Sequence, residues 1–180
     1  MMLLTHRSPA LALAIVFGAV AGACGNPGRP ALADADKQPF VDAHNAVRAG
    51  AAPAPVPALA PLAWSDDDAR VAQAWSERCV FEHSHGALGE NLAFFSGPDG
   101  ADGSTPPDVV TLWGDEAPSY DYATNACAAG AQCGHYTQIV WRGTTSFGCG
   151  AAKCTIDGGA GTYWVCNYDP PGNVVGEKPY

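Results

Sequence analysis

Charged residues are scarce in this chain of 180 residues, at 15% of the sequence against roughly 25% in an average soluble protein. Basic residues are the rarest of them, with nine Lys and Arg against eighteen Asp and Glu, which leaves a net charge of −9. Because proteins bind nucleic acids through clustered Lys and Arg, this composition excludes a nucleic-acid partner. The hydrophobic fraction of 47% is enough to build the core of a single domain.

Long apolar segments and several familiar motifs are also missing. No segment after residue 24 is apolar for long enough to cross a bilayer, which excludes a polytopic membrane protein. No Cys-x-x-Cys pair with zinc-finger spacing is present. The Gly-x-Ser-x-Gly turn of α/β-hydrolases and the His-Glu-x-x-His helix of zinc proteases are absent as well, so no motif assigns a catalytic nucleophile.

The N-terminus has the pattern of a targeting segment. Residues 11–20 form an apolar stretch that follows a weakly basic start and precedes small residues, as in a signal peptide. We predict a signal peptide over residues 1–23, because residues 20–24, Val-Ala-Gly-Ala-Cys, resemble a bacterial lipobox, which would place a lipid anchor on Cys24. The alternative is an A-x-A cleavage site that ends at Ala33. Both routes export the chain to the cell envelope or the extracellular space, and only the lipid on Cys24 would attach it to a membrane.

The cysteine count agrees with export. Seven cysteines are present, and six remain if Cys24 is lipidated or removed with the leader. An even set in an exported chain predicts a disulfide framework, although spacing alone does not choose the pairs. The six are Cys79, Cys127, Cys133, Cys149, Cys154 and Cys166.

The first half of the mature chain has helical patterns. Residues 24–37 lack apolar periodicity and are predicted to form a tether. Apolar residues at helical spacing predict a helix over residues 39–49, and Ser65 is a suitable N-cap for a second helix that starts with three Asp. A polar loop rich in Gly and Pro is predicted over residues 97–107, before a third short helix around Val109–Trp113.

From His135 onward the apolar pattern changes to a period of two. This alternation predicts a strand over residues 135–141 and further strands over Phe147–Ala151 and Thr162–Asn167, with a glycine-rich turn over Gly158–Gly161. Helices that are followed by strands indicate an α+β fold with antiparallel pairing.

Several short motifs occur together in a recognisable order. They include His-Asn-x-x-Arg at 44–48, Gly-Glu-Asn at 89–91, Gly-His-Tyr-Thr-Gln at 134–138 and Cys-Asn-Tyr-x-Pro-x-Gly-Asn at 166–173. In order and spacing, these motifs resemble the CAP superfamily of cysteine-rich secretory proteins, antigen 5 and plant pathogenesis-related class-one proteins. The resemblance extends over residues 38–180, which we take as one CAP domain.

The resemblance implies an α-β-α sandwich, in which a central antiparallel sheet lies between helical layers and three disulfides join the elements. The six cysteines match the plant-type pattern of the family, which implies the pairs Cys79–Cys154, Cys127–Cys133 and Cys149–Cys166. Cys79–Cys154 closes the longest loop and is expected to stabilise the fold most, by roughly 4 kcal/mol in the chain-entropy description.

The resemblance also implies a cavity lined by two His and two Glu. The motifs place these residues at His83, Glu90, Glu116 and His135, with His85 as an alternative to His83. Two imidazoles and two carboxylates can bind a divalent cation such as Zn²⁺, although the resemblance requires no cofactor. The same four side chains can exchange protons with a substrate, or form a hydrogen-bonded network with a structural role alone.

Two classes of function remain open from the sequence. The first, which we favour, is a non-enzymatic exported module that binds a small hydrophobic ligand such as a sterol, a fatty acid or an envelope lipid, with the predicted loop Phe94–Gly97 at the rim of its groove. The second is a metal-assisted, protease-like hydrolase built on the His and Glu residues. Ser84 is a poor nucleophile for it, because sequence neighbours such as Ser84 and His83 rarely have the geometry of a dyad.

Overall fold

A computed structural model describes residues 32–97 and 102–180 of the chain. Its helices are α1 (Asp34–Ala49), α2 (Asp66–Ser76), α3 (Pro106–Gly114) and α4 (Gly134–Ile139). Its strands are β1 (Ala63–Trp64), β2 (Gly89–Ser96), β3 (Tyr120–Asp121), β4 (Ala126–Cys127), β5 (Ser146–Ile156) and β6 (Gly159–Asp169). In the main sheet β6 lies between β5 and β2, with both pairs antiparallel, and β1 adds to the outer edge of β5 in parallel.

The hairpin of β5 and β6 forms the centre of this sheet. The two strands pair along their whole length, from Ser146 opposite Asp169 to Ile156 opposite Gly159. Asp157 and Gly158 form the turn with φ angles of 51° and 80°, the left-handed conformation that a two-residue hairpin turn of this kind requires. The predicted turn over Gly158–Gly161 is therefore too late in the chain, because residues 159–161 already pair within β6.

Helices cover both faces of the sheet. On one face, Trp164 and Tyr168 pack in the core with Phe40 of α1 and Trp113 of α3. On the other face, the alternate residues of β6 pack against α2, as Val165 does with Ala72. This arrangement confirms the predicted α+β class and α-β-α sandwich.

Two glycines of β5 set the distance between α2 and the sheet. A Cβ atom on Gly148 would lie 2.2 Å from the backbone nitrogen of Ala69, and one on Gly150 would lie 2.4 Å from the Cα of Gln73. Real Cβ atoms do not approach backbone this closely, so any larger residue would push the helix away from the strand. The helix itself begins as predicted, because the Ser65 hydroxyl accepts a hydrogen bond from the backbone N–H of Asp68.

The first helix is longer than predicted. It begins at Asp34 instead of residue 39, so residues 34–37 belong to α1 and not to the tether. Leu32, which is 9% exposed, packs in the core and holds the start of the helix against the domain. The predicted signal peptide and the predicted lipid anchor at Cys24 lie outside the described residues.

The predicted strand over 135–141 is wrong, because residues 134–139 form the short helix α4. Residues 136–140 are all buried, so the alternation of residue types does not correspond to one buried and one exposed face. Arg48 supports the end of the helix by donating hydrogen bonds from Nη1 to the carbonyls of Ile139 and Trp141, at 2.7 and 2.9 Å. Terminal carbonyls of a helix need such partners from outside it.

The predicted loop Phe94–Gly97 is also wrong, because Phe94 to Ser96 complete β2, a strand that the sequence pattern did not reveal. Part of the predicted loop over 97–107 is helical as well. Helix α3 begins at Pro106, where Thr105 and Asp108 form a reciprocal capping box. Residues 98–101 lie outside the described part of the chain.

Candidate functional site

A cleft of about 570 Å³ opens between the segment that follows α2 and the beginning of α4. One wall comes from residues 81–83, and the other from residues 131–135, with Leu92 of β2 also exposed to the space. Its lining residues are Phe81, Glu82, His83, Leu92, Cys127, Ala131, Gln132, Cys133, Gly134, His135 and Asn173. Both predicted histidines therefore face one cavity, whereas His85 is exposed and does not line it.

His83 lies at the cleft in contact with Glu90. The Nδ1 atom of His83 is 2.9 Å from Oε1 of Glu90, and the backbone N–H of Ser84 donates to the same oxygen at 2.8 Å. The Glu90 side chain is only 6% exposed because it lies on β2 beneath the 81–85 segment, whereas the His83 side chain is 55% exposed. Glu90 therefore fixes one edge of the imidazole and leaves the other edge accessible.

His135 and Glu116 form a second pair of the same design. Nδ1 of His135 is 2.6 Å from Oε1 of Glu116, while Oε2 accepts hydrogen bonds from the backbone N–H groups of His135 and Tyr136. Burial alone would raise the pKa of Glu116, but the hydrogen bonds from His135 and the backbone outweigh it and hold the pKa below its ordinary value. The His135 ring also stacks on Trp113 at a centroid distance of 6.0 Å.

The two carboxylates determine which nitrogen of each imidazole carries the proton. An ionised carboxylate can only accept hydrogen bonds, so the Nδ1 of each imidazole carries the proton that points to its Glu. The Nε2 atoms of His83 and His135 are then acceptors while the imidazoles are neutral, and become donors when the rings are protonated. A hydroxyl group or a metal ion is the natural partner of a neutral Nε2.

The four predicted residues are thus arranged as two pairs and not as one cluster of ligands. Neither Glu90 nor Glu116 lines the cleft, because each lies behind its own imidazole. Across residues 32–97 and 102–180, no three His, Cys, Asp or Glu side chains come close enough to hold a metal together. A divalent cation here would have two imidazoles for ligands, each oriented by a carboxylate behind it, an arrangement common around protein-bound zinc.

Ser84 does not act with His83. Its Oγ accepts a weak hydrogen bond from the backbone N–H of Gly86 at 3.4 Å, within its own turn. The hydrogen bond of the His83 ring runs from Nδ1 to Glu90 and not to the Ser84 hydroxyl. The geometry of a Ser–His dyad is therefore not formed by these two residues.

The His-Asn-x-x-Arg motif has a structural role. His44 is completely buried, with Nδ1 at 2.8 Å from the Phe40 carbonyl and Nε2 at 2.9 Å from the Tyr168 hydroxyl. Burial lowers the pKa of His44 to about 4. Asn45 holds the backbone of Leu62 through two hydrogen bonds, so the motif connects α1 to the sheet and to the loop before β1.

The disulfides are Cys79–Cys154, Cys127–Cys133 and Cys149–Cys166, the pairs that the resemblance implies. Cys127–Cys133 contributes directly to the cleft wall, a placement that the sequence did not indicate. The sequence did not indicate three further cleft residues, Phe81, Leu92 and Asn173. They come from separate segments of the chain, and no single motif contains them.

A second groove lies between α1 and α3 but is smaller. Its volume is about 260 Å³, and its lining includes Val47, Thr111, Gly114 and Tyr136. Binding sites for small molecules typically have about 300–1,000 Å³, so the cleft at His83 and His135 is the better candidate. In the described part of the chain, no helix has both the length and the apolar character to span a membrane.

Comparisons with known proteins agree on one family. The family model described as "CAP: Cysteine-rich secretory protein family" matches residues 41–168. Pathogenesis-related protein 1B of Nicotiana tabacum is 44% identical over 149 residues, which cover 80% of this chain and 80% of that protein. Pathogenesis-related protein PR-1 of Medicago truncatula is 44% identical over 126 residues, or 68% of this chain and 69% of the relative. The solved structure of Schistosoma mansoni venom allergen-like protein 4 has a TM-score of 0.63 at 26% identity, covering 83% of this chain and 95% of its own.

Proposed function

This chain belongs to the CAP cysteine-rich secretory protein family, and we propose that it is an exported, non-enzymatic binding module for a small apolar ligand that ends in a hydroxyl group, such as a sterol. The proposal depends mainly on one observation. Two imidazoles, each held by a carboxylate at Nδ1, line a partly apolar cleft of about 570 Å³.

The size and lining of the cleft support an apolar ligand body. The volume lies within the range of small-molecule sites, about 300–1,000 Å³. Phe81, Leu92 and the Cys127–Cys133 disulfide supply apolar surface along its walls. A ligand body that covers these side chains gains the free energy of removing their surface from water.

The imidazoles support a hydroxyl head group. When Nδ1 of a neutral imidazole donates to a carboxylate, Nε2 is a hydrogen-bond acceptor, and a ligand hydroxyl can donate to it. A fatty-acid carboxylate can only accept hydrogen bonds, so an unprotonated Nε2 gives it no donor. We therefore place sterols ahead of fatty acids as ligands.

The disulfides support export. Three disulfides join the domain, and such bridges persist in oxidising compartments outside the cytosol. We propose an extracellular or envelope location, with Cys24 as the lipid anchor if the lipobox is used.

A ligand pair tests the proposal directly. The protein is titrated at pH 7.5 with a fluorescent sterol and with the 3-methyl ether of the same sterol, which has lost only the donor proton. We expect the ether to bind about two- to tenfold more weakly, the range that one hydrogen bond contributes. The difference should shrink in His83→Asn and should persist in the matched control His85→Asn, because His85 does not line the cleft. Equal affinities for both ligands in the wild type would contradict the proposed head-group contact.

The two imidazoles, each held by its own carboxylate, favour a divalent cation as a second candidate occupant of the cleft. His83 and His135 would hold it through Nε2, with Glu90 and Glu116 as the groups that orient the rings. Such an ion would supply a Lewis acid. The hydrolase alternative finds less support, because Ser84 is turned to its own backbone and does not pair with His83.

A further inference from the structure

The three disulfides differ in how accessible they are to solvent. Cys149–Cys166 joins β5 to β6 in the centre of the sheet, and both of its residues are 0% exposed. Cys154 of the second bridge is 6% exposed and packs in the core between α2 and the sheet. Cys127, by contrast, is exposed, and its disulfide to Cys133 lines both the cleft and a neighbouring groove of about 200 Å³. A small reductant can therefore reach this bond while the domain stays folded.

The Cys127–Cys133 disulfide also holds one wall of the cleft. It closes a loop whose residues 128–132 are all exposed, and two of these residues line the cleft. Among the described backbone hydrogen bonds, only the one from the Ala128 N–H to the Ser119 carbonyl, at 2.8 Å, connects these residues to the rest of the domain. The loop is therefore held mainly at its two ends, and the disulfide joins those ends.

The helix that follows this wall has a separate support. Cys133 is the N-cap residue of α4 and lies two residues before His135. The first turn of α4 is held by Glu116, whose Oε2 accepts hydrogen bonds from the backbone N–H groups of His135 and Tyr136. Opening the disulfide should therefore loosen residues 128–132 and leave α4 in place.

Loop length indicates that the domain survives the loss of this bond. Cys127 and Cys133 are 6 residues apart, whereas the cysteines of the other two bridges are 17 and 75 residues apart. In the chain-entropy description, a disulfide that closes a short loop restricts the unfolded chain least. The two remaining bridges and the core should keep the domain folded when the Cys127–Cys133 bond is open.

We propose that the Cys127–Cys133 disulfide is a redox switch on the cleft: a dithiol reduces it before the other two bridges, and its reduction weakens ligand binding without unfolding the domain. Exposed disulfides are the labile ones in thiol exchange, because the attacking thiolate must reach a sulfur atom. The effect on binding rests on the proposed function, because it requires that the cleft takes a ligand. The order of reduction does not depend on that function.

The reaction is an ordinary thiol–disulfide exchange. One thiolate of the dithiol attacks Sγ of Cys127, the bond to Cys133 breaks, and Cys133 leaves as a thiolate. The second thiol of the reductant then displaces Cys127 and closes the disulfide of the reductant itself. Two electrons and two protons pass to the protein, which gains two thiols, while the dithiol is oxidised to a disulfide.

The loss of affinity follows from the loosened wall. Once the disulfide is open, residues 128–132 must be ordered again before the ligand has a complete cleft to bind. Apparent affinity falls in proportion to the fraction of molecules in the binding-competent state. A wall that is ordered about a tenth of the time would lower the affinity about tenfold.

Graded reduction with mass mapping tests the order in which the bridges open. The exported protein is incubated at pH 7.5 with increasing dithiothreitol, and the free thiols are alkylated and located by mass spectrometry. We expect Cys127 and Cys133 to be labelled at a lower dithiothreitol concentration than the other four cysteines. In the selectively reduced protein, hydrogen exchange should speed up at the Ala128 amide and stay unchanged at the Tyr136 amide, which Glu116 holds. Simultaneous opening of all three bridges, or opening of another bridge first, would overturn the switch.

Sterol titration of the same samples tests the effect on binding. We expect the selectively reduced protein to bind a fluorescent sterol about tenfold more weakly than the oxidised protein, and reoxidation to restore the affinity. The double variant Cys127→Ser with Cys133→Ser should bind weakly both with and without dithiothreitol, which separates the switch from other effects of the reductant.

The possible failures are distinguishable. Equal sterol affinity in the oxidised and the selectively reduced protein would refute the switch and leave the proposed function intact. Absence of sterol binding to the oxidised protein would refute the proposed function, while the mass mapping would still decide the order of reduction. Unfolding of both the double variant and the selectively reduced protein would show that the bridge is structural, which also contradicts the switch.

Discussion

Acidification should destabilise the domain through His44. This residue is completely buried between the Phe40 carbonyl and the Tyr168 hydroxyl. Burial disfavours the charged imidazolium and lowers the pKa to about 4, although the hydrogen bond to Phe40 opposes the shift and the nearby Arg48 adds to it. In the unfolded chain the same imidazole has its ordinary pKa of 6.5.

The sign and the size of the effect follow from these two values. Between pH 6.5 and about 4 the His44 imidazole binds a proton in the unfolded chain but not in the folded chain. The free energy of unfolding therefore falls as the pH falls through this window. A difference of about 2.5 pKa units corresponds to at most about 3 kcal/mol, of which about 2 kcal/mol is lost by pH 5. Glu116 does not mask this loss, because its lowered pKa gives a contribution that disappears only below its ordinary value of 4.5.

Urea unfolding at pH 7.5 and pH 5.0 measures the loss in the wild type and in His44→Gln. We expect the wild type to lose about 2 kcal/mol more than the variant between the two pH values. The other histidines are present in both proteins, so their contributions cancel in this comparison. If His44→Gln does not fold, an NMR titration of the His44 ring in the wild type replaces it. Equal losses in the two proteins, or a measured pKa near 6.5, would refute the reasoning.

Three further predictions concern the disulfides, the anchor and the metal. Removing Cys79–Cys154, whose cysteines are 75 residues apart, should cost about 4 kcal/mol in thermal unfolding, and mass mapping that finds six free thiols in the exported protein would contradict the framework. Cys24→Ser should move the protein from membranes to soluble fractions, unless the mature N-terminus is unmodified and lies further along the chain. Calorimetric zinc titration should show affinity that falls as the pH is lowered, because protons compete with the metal for the ring nitrogens. The affinity should be mostly lost in His135→Ala and unchanged in Ser84→Ala, while equal affinity in wild type and His135→Ala would make the histidine purely structural.

Local patterns were sufficient for much of the fold. Short-range rules predict the Ser65 cap, the second helix and the strands β5 and β6. The order of the motifs was specific enough to indicate the sandwich. Helix α4 could not be found this way. Most of its residues are buried, so it lacks the alternation of apolar and exposed polar faces by which a surface helix is recognised. Its end is supported by Arg48, which lies 91 residues away from Ile139 in the chain.

The candidate site, like the fold, could be predicted from the sequence only in part. Motifs identified His83, Glu90, Glu116 and His135, but not that the carboxylates lie behind the imidazoles. That detail depends on how β2 and the segment after α3 are placed relative to the two histidines, and therefore on contacts between distant parts of the chain. For the same reason, no sequence pattern could indicate that Phe81 and Asn173 border one cleft.

Nitrogen NMR of the histidine rings, recorded with and without bound sterol at pH 7.5, tests the central claim most directly. If the ligand hydroxyl donates to the imidazoles in the cleft, the Nε2 resonance of His83 or His135 should shift, while their Nδ1 resonances keep the signature of a protonated nitrogen bonded to Glu. The rings of His44 and His85, outside the cleft, should not respond. Sterol binding that leaves the ring nitrogens of both His83 and His135 unchanged would contradict the account.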